Sequence, residues 1–115
     1  MLEKRAHPRR KMRLIVDFDA VGSKTSGITY DVSRTGLFVR TVRIPSVGTQ
    51  LSLVLHLATG RELQVSGKVV RTYSAHGTLR FVIPSGFGLR ISPKSSDYDD
   101  FVSSVFGSPV AADQD

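Results

Sequence analysis

From Leu14 to Ser92 the chain runs in short stretches of valine, isoleucine, leucine, phenylalanine and threonine, cut by Gly22, Gly27, Gly36, Pro45, Gly48, Gly60, Gly77 and Gly86. Breaks this frequent leave no room for long helices, and β-branched runs of this length read as strands. The pattern predicts strands near 14–20, 26–31, 37–42, 49–57, 61–73, 78–83 and 87–92. In TQLSLVLHL, Leu51, Leu53, Leu55 and Leu57 alternate with Ser52, Val54 and His56, the period of a strand with one buried face. The run after ATGRE repeats the alternation through Leu63, Val65, Gly67 and Val69, so the two runs are expected to pair as a hairpin. Many short strands in one small chain predict a mainly β fold. The expected form is a small antiparallel barrel of six or seven strands, because closure removes edges that would template aggregation. A sandwich fits the same alternation.

Near the end the period changes. In SPKSSDYDDFVSSVFG, Tyr98, Phe101, Val102, Val105 and Phe106 recur at helical spacing, Ser96 stands where an N-cap belongs, and Asp97, Asp99 and Asp100 put negative charge into the first turn. Gly107 and Pro109 then stop the helix. One short amphipathic helix is marginal by itself, so its aromatic face is expected to lie on the barrel. With 115 residues and no change of character between 14 and 106, a single core is expected. The organisation read from the chain is a flexible basic arm over 1–13, a barrel with its closing helix over 14–106, and a tail over 107–115 with too little apolar material to order itself.

Composition removes several function classes. Cysteine is absent, which excludes disulfides, thiolate chemistry and cysteine-ligated metals. No stretch approaches a membrane span, and the first residues are charged where a secretion signal needs apolar ones, so a cytoplasmic protein without membrane insertion is expected. His7, His56 and His76 are scattered, no nucleophile motif is present, and the Asp97–Asp100 cluster serves a helix start. The expectation is no enzyme, no metal and no cofactor.

Charge then points outward. The net charge is +6, with 11 arginines against 5 lysines, a balance suited to bidentate recognition of phosphate or guanine edges. Lys4, Arg5, Arg9, Arg10, Lys11 and Arg13 crowd one end, and acidic residues the other. Small basic barrels also take single-stranded nucleic acid through aromatics on an open sheet face. Here tryptophan is absent and most phenylalanines and tyrosines fall at core positions, which disfavours nucleic acid.

Two segments carry candidate chemistry. In DVSRTG, Asp31 and Ser33 can bond nearby backbone donors, and Gly36 can adopt a positive φ or admit close approach; taken alone, this is a strand-to-strand turn. The same atoms suit a ligand, since a carboxylate accepts from the N–H edge of guanine and a hydroxyl bonds a base or phosphate. In RAHPR, Arg5 and Arg9 stand four apart. Alone they read as a solvated basic tail, yet arginine is also the side chain that clamps phosphate and stacks on or bonds to guanine.

Together these segments resemble the PilZ domain, a bacterial receptor for the second messenger cyclic di-GMP, whose signature is RxxxR ahead of the first strand and (D/N)xSxxG at the end of the second. RAHPR supplies the first from Arg5 to Arg9, and DVSRTG the second from Asp31 to Gly36. GRELQVSGKVVRT and GFGLRIS are similar to the family's long strand pair and to the strand before its closing helix, so the resemblance covers nearly the whole chain. It implies that Arg5 and Arg9 hold guanine faces and phosphates while Asp31, Ser33 and Gly36 form the opposing wall. Lys4 and Arg10 are accessory candidates. A basic residue at the place of Lys4 accompanies capture of a ligand dimer in this family, so one or two molecules of cyclic di-GMP per chain are expected. Arg9 and Arg13 also satisfy RxxxR; the earlier pair is preferred because LIVDFDA begins right after Arg13 and leaves less free arm. The implied function is a receptor and adaptor that orders its amino-terminal arm on binding and signals to an unidentified effector protein. The rival is a ligand-independent PilZ-like interaction module.

Overall fold

A computed structural model describes residues 9–20, 22–74, 85–92 and 96–106. The strands are β1 (Arg10–Lys11), β2 (Ile15–Ala20), β3 (Ser23–Val32), β4 (Gly36–Arg40), β5 (Gln50–His56), β6 (Glu62–Tyr73) and β7 (Gly86–Ile91), followed by helix α1 (Ser96–Phe106). All pairings are antiparallel. The neighbours run β3, β2, β5, β6, β7, β4, and β4 returns to β3, which closes a six-stranded barrel with β1 as an extra strand. Closure decides between the two architectures left open by the alternation, and the barrel is the one observed.

The expected hairpin forms in full register, from Gln50 opposite Lys68 to His56 opposite Glu62. Leu51, Leu53 and Leu55 face inward with Leu63, Val65 and Val69, while Ser52, Gln64 and Ser66 face solvent. Phe18 and Phe87 meet edge to face at 5.3 Å in the same core. From α1, Tyr98 and Val102, four residues apart and so on one face, are buried against this cluster. Each such side chain taken out of water contributes about 1.5–3 kcal/mol, which is why a helix too short to stand alone holds its place. The helix includes Ser96 and ends at Phe106.

Two departures from the sequence pattern matter, the start of β3 and the presence of β1. β3 starts at Ser23, because Ser23–Ser26 pairs with Asp17–Ala20 through its backbone without any apolar side chain to announce it. The strand expected near 78–83 lies outside the described residues. β1 has no hydrophobic signal at all: Arg10 lies opposite Val32 and Lys11 opposite Asp31, in the place beside β3 that β2 vacates after Ile15 meets Ile28. Thr29 fastens the join, its hydroxyl accepting from the Leu14 amide at 2.8 Å and donating to the Met12 carbonyl. Among the described residues no helix is long and apolar enough to cross a membrane.

Candidate functional site

The turn between β3 and β4 is built around one hydroxyl. Ser33 Oγ accepts from the amides of Thr35 and Gly36, both at 3.3 Å, and lies 3.2 Å from the Gly36 carbonyl, to which it donates. The Ser33 amide donates to that same carbonyl at 2.8 Å. Gly36 is the first residue of β4, opposite Arg90 on β7, and does not have a positive φ. Of its two conceivable roles it fulfils close approach: a Cβ there would sit 2.3 Å from the Leu89 carbonyl oxygen.

Tyr98 completes the turn from the other end of the chain. Its hydroxyl donates to the Ser33 carbonyl at 2.7 Å and lies 3.2 Å from that of Gly36. Burial pushes its phenol well above the ordinary value, and the nearby charge of Arg9 only partly opposes this. Tyr98 therefore stays a neutral donor at physiological pH.

Asp31 does not bond the turn's backbone. The β3–β4 ladder slips between Thr29 and Asp31, and such a bulge re-aims the side chains beside it. Asp31 Oδ1 accepts from Arg9 Nη2 at 2.9 Å, with the two side chains only 16% and 19% exposed. Two buried side-chain nitrogens among the described residues have no hydrogen-bond partner, Arg9 Nε and Arg34 Nη2. Both belong to the motif segments, and burying such donors costs free energy unless something binds them.

The structure thus brings together Arg9, Asp31, Ser33 and Gly36. Arg10 is exposed on β1 with its guanidinium carbon 5.9 Å from the Phe106 ring centroid. Arg13, the alternative motif partner, is exposed beyond β1. Lys4 and Arg5 lie outside the described residues.

Beside the turn opens a cleft of about 370 Å³ whose lining includes Arg9, Gly36, Val70, Arg71, Gly88 and Arg90. Among the described residues three arginines and no carboxylate line it, so its field attracts anions, and guanidinium forks match phosphate and the guanine edge. Sequence reasoning missed Arg34, Arg71, Arg90 and Tyr98 as members of this region. GKVVRT and GFGLRIS are legible as strands, but nothing in them says which arginine faces a cleft. Among the described residues no group of three or more histidine or acidic side chains is placed to hold a metal ion. His56, 2.7 Å from Asp17 and 3.7 Å from Glu62, stands on the solvent side of β5, apart from this site.

The sequence profile of the PilZ domain matches residues 3–107. Among solved structures, the Bacillus subtilis inhibitor of motility (MotI/DgrA) superposes with a TM-score of 0.71 at 16% identity, over 91% of this chain and 51% of that one. The chain therefore spans about half the length of that protein, and at this identity the likeness speaks for the fold. Among curated protein sequences none matches.

Proposed function

We propose, since the chain belongs to the PilZ domain family, that it is a non-enzymatic receptor for cyclic di-GMP that acts in the cytoplasm as an adaptor toward an effector protein. The observation that carries this reading is the meeting of the two motifs: Arg9 is held on Asp31 beside the Ser33 turn with its Nε buried and unpartnered, at the mouth of an arginine-lined cleft.

In this reading the Arg9–Asp31 pair keeps both charges partnered until ligand arrives. A guanine offers its N–H edge to Asp31, which frees the Arg9 fork for a phosphate or for the O6 and N7 of a base. Ser33 and Gly36 set the backbone close enough for a flat ligand. Arg5, with Lys4 as an accessory, closes the site from the segment ahead of β1, and Arg10 is the accessory candidate on β1 itself. Drawing the residues ahead of Arg9 onto the bound ligand changes the surface offered to the effector, so binding and signalling draw on one equilibrium. The Asp31–Gly36 wall is fixed by β3, β4 and Tyr98, whereas β1 holds by two residue pairs, which makes the arm the element that responds.

Calorimetric titration with cyclic di-GMP, with GTP and cyclic AMP as controls and at two salt concentrations, tests the proposal. Selective heat supports it, and the stoichiometry decides between one ligand and two. No heat with cyclic di-GMP overturns it and transfers the assignment to a ligand-independent interaction module.

A further inference from the structure

The wall of the cleft opposite the turn is β6, and its ladder to β7 slips there. Val69 lies opposite Leu89 and Arg71 opposite Gly88, leaving Val70 without a partner of its own. In a regular strand, successive side chains go to opposite faces; a bulge breaks that rule. Val69 is buried, and the consecutive Val70 and Arg71 are both exposed and both line the cleft.

Arg71 is also seated. Its guanidinium carbon lies 5.6 Å from the Phe38 ring centroid. The space its stem crosses exists because residue 88 is glycine: a Cβ there would stand 2.9 Å from Arg71 Nε and 3.0 Å from its Cγ. A guanidinium held by an aromatic face keeps its in-plane N–H groups free. Two arginines from elsewhere in the fold, Arg9 just ahead of β1 and Arg90 on β7, share the cavity with it.

We propose that Arg71 is a specificity-determining residue, whose fork reads the O6 and N7 edge of a guanine of the bound cyclic dinucleotide from the side facing the motif turn. The inference rests on the reading that this cleft takes cyclic di-GMP. The chemistry follows from the base edges: guanine presents two acceptors there, and adenine replaces one with an amino donor that repels the fork. A cation serving phosphate alone would not distinguish the two bases.

The test compares cyclic di-GMP with cyclic di-AMP on the full chain and its Arg71→Ala, Arg71→Lys and Gly88→Ala variants, by calorimetry, with circular dichroism confirming the fold. Arg71→Ala is expected to weaken cyclic di-GMP about tenfold and leave cyclic di-AMP unchanged, the scale of one bidentate base contact. Lysine at 71 keeps the charge but lacks the fork, and is expected to leave selectivity reduced. Gly88→Ala displaces Arg71 without removing it and is expected to lose selectivity in the same direction. Equal loss for both ligands, restored by lysine, overturns base reading in favour of a phosphate contact. Unchanged selectivity in Arg71→Ala overturns the inference while the receptor reading stands. A wild-type chain silent toward cyclic di-GMP overturns both.

Discussion

Replacing Tyr98 with phenylalanine removes one oxygen from the interior and leaves the ring in place. The hydroxyl lost is the donor to the Ser33 carbonyl at 2.7 Å, on a residue with no exposed surface. The Gly36 carbonyl keeps the Ser33 amide at 2.8 Å, so the damage falls on the Ser33 carbonyl. A buried hydrogen bond contributes about 0.5–1.5 kcal/mol net, and a buried acceptor stripped of its donor costs about 1–3 kcal/mol. The expected loss is therefore about 1–3 kcal/mol. Unfolding entropy near 2.1 cal/mol/K per residue gives a chain of 115 residues about 0.24 kcal/mol/K, so the melting midpoint falls by roughly 4–12 °C.

The same substitution has a signature in pH. Burial raises the Tyr98 phenol above its ordinary value of 10.0, so in alkali the unfolded chain releases a proton that the folded chain keeps. The contribution is whole below about pH 10 and is lost as pH climbs above it. Wild type should lose stability on the alkaline side more steeply than Tyr98→Phe. Differential scanning calorimetry from about pH 7 to about pH 11 reads both effects. A variant whose midpoint stays within about a degree of wild type, with a parallel alkaline limb, refutes the role given to this hydroxyl.

Arg9→Ala and Asp31→Ala should each weaken cyclic di-GMP about tenfold or more, the worth of a charge-assisted contact near 1.5–3 kcal/mol, with matching circular dichroism; unchanged affinity in titration sinks the site assignment. Gly36→Ala drives a Cβ to 2.3 Å from the Leu89 carbonyl oxygen and should destabilise the fold by about 1–3 kcal/mol, read as a lowered urea midpoint. Hydrogen bonds from Ser26 and then His56 hold the Asp17 carboxyl below its ordinary range. Its contribution is present above about pH 4 and fades as pH falls, so Asp17→Asn should flatten the acid limb of stability and leave ligand binding untouched.

What the chain disclosed in advance depended on whether a feature had a local pattern. Leu51, Leu53 and Leu55 announce an inward face because their period is that of the strand itself, and Ser33 and Gly36 announce a turn because a short hydroxyl side chain and a glycine suit one; that Asp31 stays in β3 and turns to Arg9 instead is not legible. Arg10 and Lys11 announce nothing, since two cations form a strand only because β3 leaves donors and acceptors open beside them. Tyr98 is legible as one apolar position on a helix, but the destination of its hydroxyl lies 65 residues away. Arg71 is hidden more deeply. Its outward turn depends on a register slip against β7 and on the missing side chain of Gly88, and neither partner is near it in sequence. Motif residues declare the chemistry of a site, while the walls around them come from long-range pairing.

That pairing also sets an order of events. The Ser33 turn is enclosed by β7, through Gly36 and Arg90, and then tied by Tyr98. Contacts between segments so distant in sequence form late and slowly, because the intervening chain must first give up its freedom. During synthesis the chain emerges from its amino end, and domains complete themselves as units. A nascent chain that has already exposed RAHPR and DVSRTG thus holds both motifs as text without yet holding a pocket. The cleft gains its far walls only when β6 and β7 have emerged, and the turn gains its last hydrogen bond only when the helix bearing Tyr98 has left the ribosome.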